Sequence, residues 1–276
     1  MSTKKAFREE YKQITDIDYY NNLSREEALA LDKETIIAAL DVDDLYYGKF
    51  GQNWNSNSHL TKLLDDPLLE EPDEMWGDGK YLVIGNFIHK AFLEPEKAEV
   101  FPYSEATHRS QKIYKEDVAK QPQPWMFTKK DYDKWLDWVE TMKLIPDVSN
   151  IIYDEDNLFE VPQVAWFNGI PIKGKCDIIN HKKKLIIDIK TTSDLEGFVG
   201  KVDEWNYNVQ AALYAKALYP DYDFRFLAID KRTDKAGVFD MSPTQFEAGL
   251  SKLYRCTNLL KHYHLNNGSN VYYHYV

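Results

Sequence analysis

Asn168-Gly169 constrains this chain more than any other pair of residues. Asn-Gly reaches the left-handed backbone that a two-residue hairpin turn requires, and here it separates two runs of strand-forming residues. Phe159 to Phe167 precedes the pair and Ile170 to Ile179 follows it. A basic turn, His181 to Lys183, leads into a third run, Lys184 to Lys190. The pattern predicts three consecutive antiparallel strands, with Asp177 near the end of the second and Asp188 and Lys190 on the third.

The flanking sequence reads mainly as helix. Helical stretches are expected at 24–31 and 34–46, with a short one from His59 to Leu64. Tyr81 to Leu93 is an apolar helix that stops at Glu94-Pro95. Tyr132, Trp135, Leu136, Val139 and Met142 recur at helical spacing and predict an amphipathic helix over 129–143 whose stripe faces the core. A helix is expected at about 204–219, strands at 223–230 and 236–240, and a last helix opened by Ser242-Pro243-Thr244-Gln245 that runs to about His264. The stretch 96–128, punctuated by Pro102, Pro122 and Pro124, reads as a long loop. The order predicts a mixed α/β or α+β core, residues 81–276, preceded by a helical N-terminal elaboration over 1–80.

Charge narrows the partners. Lys+Arg number 34 and Asp+Glu 45, a net charge of −11, so the overall field does not attract nucleic acid. From Ile170 to Lys190, however, six lysines face only Asp177 and Asp188, a local balance of +4 that predicts a basic surface beside those acids. Asp41, Asp43 and Asp44 read as a solvated acidic surface. Cys176 and Cys256 are too few for a disulfide framework or an iron–sulfur cluster and read as small buried hydrophobes. The N-terminus has no apolar run behind its charges and no stretch is long and apolar enough to span a membrane, so a soluble cytoplasmic protein is expected.

The chemistry concentrates on the predicted hairpin. Strand side chains alternate, so Asp188 and Lys190 share one face while Ile187 and Ile189 share the other. An acid and an amine side by side on a central strand are costly unless they pair or bind something. Asp177 on the neighbouring strand brings a second carboxylate, and converging carboxylates favour a hard cation such as Mg²⁺ or Mn²⁺. His89, on the apolar helix, would add a nitrogen donor. Gln210 and Tyr214, four residues apart, share a helix face that could turn to the same site, with Asn206 one turn earlier. This combination points to hydrolysis of a phosphodiester.

These residues carry a family resemblance. Gly174-Lys175-Cys176-Asp177, then Ile187-Asp188-Ile189-Lys190-Thr191, then Gln210-x-x-x-Tyr214 resemble the PD-(D/E)xK nuclease superfamily. The Q-x-x-x-Y helix resembles its RecB-like branch, and within that the RecE group of exonuclease VIII-type phage nucleases. Ser56 to Leu60 with Leu63 to Pro67, and Gly85 to His89 with Phe92 to Pro95, are similar to further segments of that group. The resemblance runs from about residue 55 to 220; the residues before it match no named feature.

The resemblance implies a restriction-endonuclease-like core and a metal-dependent deoxyribonuclease using one or two Mg²⁺ or Mn²⁺ ions. It implies metal ligation by His89, Glu160, Asp177, Asp188 and the backbone carbonyl of Ile189, with Glu155 or Asp156 as alternatives to Glu160. Lys190 would assist the attacking water. Gln210, Tyr214, Thr191 and Lys175 would shape the site or contact the DNA backbone. It further implies 5′ to 3′ digestion of linear duplex ends, a single-strand annealing protein as partner, and assembly into a ring. The alternatives are a single-strand exonuclease, a structure-specific endonuclease, or a catalytically silent DNA-binding module. The sequence has no P-loop, so no ATP use is expected, and it lacks the cysteines of the iron–sulfur relatives.

Overall fold

The computed structural model describes residues 14, 16–68, 79–121 and 125–265. Its centre is a five-stranded sheet in the order β3-β4-β5-β6-β7: Asn157–Phe167, Ile170–Asn180, Leu185–Thr192, Asp223–Asp230 and Lys235–Asp240. The expected hairpin is present, with Phe167 opposite Ile170 and both Asn168 and Gly169 at positive φ. β5 pairs with β6 in parallel, and every other neighbour is antiparallel, so the sheet is mixed. The parallel step needs a crossover, which the helices Phe198–Glu204 and Tyr207–Ala212 supply.

Helices cover both faces. On one, the Tyr207–Ala212 helix and the long Pro243–Leu260 helix pack with Cys176, Ile186, Phe224 and Phe226. On the other, Lys80–Leu93 and Lys129–Lys143 pack Phe87, Ile88, Val139 and Met142 on Ile178, Ile187, Ile189 and Leu227. The predicted stripe on 129–143 faces this core, and a capping box of Thr128 and Asp131 starts that helix. Ser242 caps the last helix and Pro243 opens it. Both cysteines are buried and unpaired. Among the described residues no helix is long and apolar enough to cross a membrane.

Several expectations need correction. The stretch 96–128 is not a loop: it holds helices Pro95–Glu99 and Lys112–Val118, and a parallel pair of short strands, β1 (Tyr103–Ser104) and β2 (Phe127–Thr128). Buried Tyr114, Trp125, Met126 and Phe127 anchor it, and the proline count hid them. Pro122 and Pro124 lie outside the described residues. The 34–46 helix is two, Lys33–Leu40 and Asp43–Tyr46. The 204–219 helix starts late, because Asn206 caps it with φ 56, and it widens to π geometry over Leu213–Leu218.

The N-terminal helices form their own core of Ile36, Leu40, Leu45, Phe50 and Trp54, closed by Val164 of β3. An isolated bridge, Asn55 with Ile172, ties the segment to β4.

Candidate active site

The site lies where the central sheet splits. β4 and β5 are paired only at Ile178–Ile187, Ile179–Ile186 and Asn180–Leu185. Asp177 and Asp188 stand at the next step, the first beyond the ladder. The Asp177 carboxylate takes over from the backbone there, accepting the Ile189 N–H at 2.8 Å through Oδ2.

On the other side of β4 the ladder also lapses. Phe159 pairs with Ile178 and Val161 with Cys176, leaving Glu160 opposite Asp177 with φ 52. A left-handed glutamate is rare and marks a constrained position. It also resets the alternation of both strands: Phe159 and Ile178 face one layer, Val161 and Cys176 the other. Residues from both layers therefore meet at one point. His89 arrives from the Lys80–Leu93 helix, its Nδ1 3.3 Å from Asp177 Oδ2. His89, Glu160 and Asp177 each offer one ligand atom, all within 4.8 Å of one another.

Asp188 and Lys190 form the opposite wall. Lys190 Nζ is 2.7 Å from Asp188 Oδ2. Gln210 joins them, its amide donating to Asp188 Oδ1 at 2.6 Å and its carbonyl accepting from Lys190 Nζ at 2.9 Å. The Tyr207 ring lies 4.7 Å under the Lys190 ammonium. Asp188 Oδ2 is buried with no aligned hydrogen-bond donor, although the Lys190 charge is close. That leaves a lone pair available to a cation.

The electrostatics follow from this packing. Burial pushes His89 down, but the Asp177 carboxylate reverses this and holds it at about 9. Burial alone would raise Asp177; the His89 and Lys190 charges outweigh it and keep it low. Burial, aided by the charges of Asp177 and Glu94, raises Glu160. Burial raises Asp188 to about 6 against the pull of Lys190, so at neutral pH the Asp188–Lys190 pair is charged.

The structure thus brings His89, Glu160, Asp177, Asp188, Lys190 and Gln210 together. The alternatives to Glu160 are placed elsewhere: Glu155 is exposed in the turn before β3, and Asp156 pairs with Lys182 at 2.6 Å. Tyr214 is buried, and its hydroxyl donates to the Lys175 carbonyl at 3.0 Å. Pro162 opposite Lys175 has no N–H to give, and β5 has already diverged, so Tyr214 satisfies an acceptor that the split sheet leaves over. Tyr214 thus braces the backbone two residues from Asp177, while Gln210 bridges Asp188 and Lys190. Asn206 points to Lys252, accepting its ammonium at 2.9 Å. Thr191 Oγ1 accepts from Lys231 at 3.3 Å.

The expected basic surface does not form. Lys173 is buried against Tyr46, Lys175 is bound to Asp43 at 2.9 Å, and Lys182 and Lys183 are paired at the far end of the sheet. Correspondingly, Asp43 is not a solvated acid. It joins Lys97 and Lys175, and those two ammonium ions keep its carboxylate well below the usual range despite burial. Sequence patterns assign no role to Tyr207 or Lys97, and mark Glu94 only as part of the Phe92 to Pro95 segment of the resemblance.

The donor set fits a hard divalent ion: carboxylate oxygens plus one imidazole, a pattern shared by Mg²⁺- and Mn²⁺-type sites. Comparison with known proteins gives the family. Residues 65–269 match the family model for a PDDEXK-like domain of unknown function (DUF3799). Among solved structures, a candidate exonuclease from Eubacterium rectale is similar at 12% identity, covering 94% of this chain and 83% of that one, with a TM-score of 0.49. A phage-related exonuclease from Haemophilus somnus 129PT is similar at 15% identity over 75% of this chain and 92% of that one, with a TM-score of 0.32. Comparison with curated proteins finds no match. Likenesses this remote carry no argument about activity; the family match stands on its own. It covers most of the chain, including Asp177, Asp188 and Lys190, and the chain therefore belongs to this PDDEXK-like family of the PD-(D/E)xK nuclease superfamily.

Proposed function

We propose that this protein is a Mg²⁺- or Mn²⁺-dependent deoxyribonuclease that digests linear duplex DNA from its ends, 5′ to 3′. The observation that carries the reading is the convergence of His89, Glu160 and Asp177 at the sheet split, beside a charged Asp188–Lys190 pair. His89, Glu160, Asp177 and Asp188, with the Ile189 carbonyl, would hold the metal. A divalent ion there would supply Lewis-acid polarisation of a phosphodiester oxygen. Lys190 keeps its proton at neutral pH, because Asp188 more than offsets the effect of burial. Its ammonium is fixed by Asp188, Gln210 and the Tyr207 ring, ready to orient the attacking water or offset charge that builds on the phosphate. The polarity, the role in phage-type recombination in a bacterial cytoplasm, and a single-strand annealing partner rest on the resemblance to RecE-type nucleases. A ring is part of the same reading, and a monomer in solution scattering would count against it.

The test is linear duplex DNA labelled at its 5′ or 3′ end, beside a closed circle of the same sequence, in Mg²⁺, Mn²⁺ or EDTA. Metal-dependent loss of the linear DNA alone, beginning with the 5′ label, is expected. Cutting of the circle would make the protein an endonuclease, and DNA retention without cleavage under either metal would make it a binding module.

A further inference from the structure

The segment before residue 55 takes no part in the reading above, yet its packing singles out one side chain. Tyr46, Phe50 and Trp54 are buried, while Tyr47 is 72% exposed. Tyr47 closes the Asp43–Tyr46 helix, its N–H bonded to the Asp43 carbonyl at 2.9 Å. The backbone around it is fixed from several sides. The buried Lys173 ammonium donates to the Tyr46 carbonyl and lies 4.3 Å over the Tyr46 ring. The Asp43 side chain grips Lys175, two residues from Asp177. The turn that follows has no slack: a Cβ on Gly48 would stand 2.1 Å from the Asp44 carbonyl oxygen, and one on Gly51 2.0 Å from that of Tyr46.

A rigid backbone therefore presents one open ring, and the ring stands on the side of the carboxylates. The Lys175 ammonium is 5.9 Å from its centroid. Asp43, four residues before Tyr47, binds both Lys175, two residues from Asp177, and Lys97, which pairs with Glu94 at 3.1 Å, so the exposed ring stands beside the carboxylate-bearing end of β4. The surrounding protein and then the charges of Glu160, Asp43, Glu94 and Asp177 raise its hydroxyl pKa, in keeping with that place. A tyrosine face held over a phosphodiester site meets a flat nucleobase, and bases stack on aromatic rings whatever their sequence.

Resting on the DNA-cleaving reading above, we infer that Tyr47 stacks on a nucleobase next to the phosphodiester held at His89, Glu160 and Asp177. The N-terminal segment thereby supplies the base-binding wall of the site. Stacking is indifferent to base identity, so it positions a strand without imposing a sequence, as digestion from DNA ends requires.

The experiment uses the full chain, wild type and with Tyr47→Trp or Tyr47→Ala, and duplexes carrying 2-aminopurine or an abasic nucleotide at the 5′- or 3′-terminal position. Ca²⁺ supports binding for fluorescence and Mg²⁺ supports turnover. The wild type and Tyr47→Trp are expected to quench 2-aminopurine at one of the two ends, and Tyr47→Ala is not. On ordinary DNA the alanine variant should show a KM raised about 5- to 150-fold, the range of one base–aromatic stack, with the loss carried by KM more than by kcat. On the matching abasic substrate wild type and Tyr47→Ala should have the same KM. Equal quenching and equal KM in wild type and Tyr47→Ala, with cleavage intact, would overturn the stack and leave the nuclease reading standing. Tyr47-dependent quenching by a wild type that cuts nothing would support the stack and sink the nuclease reading. The ring is exposed, so its removal leaves the core intact, and matching circular dichroism spectra check this.

Discussion

Loading the site with a divalent ion should expel protons, and the charges already present set how many. A coordinating imidazole must be neutral and a coordinating carboxylate ionised. In the metal-free protein Asp177, 3.3 Å away, holds His89 at about 9. At pH 7 such an imidazole is about 99% protonated, so its ligation alone releases about one proton. Glu160, raised by burial and by Asp177, shares the same cluster and adds part of a second. Between about one and two protons should therefore leave per ion at pH 7. Metal affinity should rise roughly tenfold or more per pH unit between about pH 6 and 8 and level off above about pH 9. The sign is fixed: both groups bind their proton more tightly in the folded apo site than in water, so acid competes with metal. Titration calorimetry with Mn²⁺ in two buffers of different ionisation enthalpy counts the protons. His89→Gln should lower the count by about one. A wild type that binds Mn²⁺ at pH 7 without releasing any proton would refute the argument, since His89 would then be either uncharged or not a ligand.

Other perturbations test the supports of the site. A Cβ at Gly174 would stand 2.4 Å from Tyr214 Cε1, so Gly174→Ala should cost about 1–3 kcal/mol in urea unfolding and slow cleavage; full stability would mean that Tyr214 can give way. Gln210→Leu removes two hydrogen bonds to charged partners and should lose about 2–4 kcal/mol together with kcat, whereas an unchanged urea midpoint would show that the bridge adds nothing. Burial lowers Lys173 to about 8 from 10.5, so the unfolded chain binds more protons between those values and stability rises with pH there. Wild type should accordingly gain about 1–2 kcal/mol on Lys173→Met between pH 8 and 9.5, and parallel curves would refute this. Lys190→Ala should abolish cleavage of end-labelled DNA while DNA retention and circular dichroism persist; comparable activity would remove the mechanism proposed here.

The parts of this fold legible in the sequence are those built by local rules. Asn168-Gly169 fixed the hairpin, because few dipeptides tolerate two left-handed residues in succession. The 129–143 stripe and the Ser242 cap placed their helices, because 3.6-residue spacing and capping act within one or two turns. The stretch 96–128 failed for the opposite reason. Its short strands pair Tyr103 with Phe127, more than twenty residues apart, and no local pattern encodes that contact.

The site divides along the same line. Asp188 and Lys190 lie on one face with Ile187 and Ile189 on the other, as strict alternation requires. Alternation cannot, however, bring Glu160 and His89 to Asp177, because the phase of β3 and β4 resets at Glu160 and the ladder to β5 ends one step before Asp188. A hairpin continued in perfect register would bond Asp177 and Asp188 through their backbones. The left-handed Glu160 and the carboxylate that replaces a ladder hydrogen bond are what open the sheet to both helical layers. Charge counting misled for a related reason: a lysine's sign is visible in sequence, but its partner is not. Asp43 claims Lys175 from 132 residues away, and Tyr46 claims Lys173 from 127. Those long-range pairs turn an apparent basic surface into the bolts that hold the N-terminal segment, and with it Tyr47, against the carboxylate-bearing end of β4.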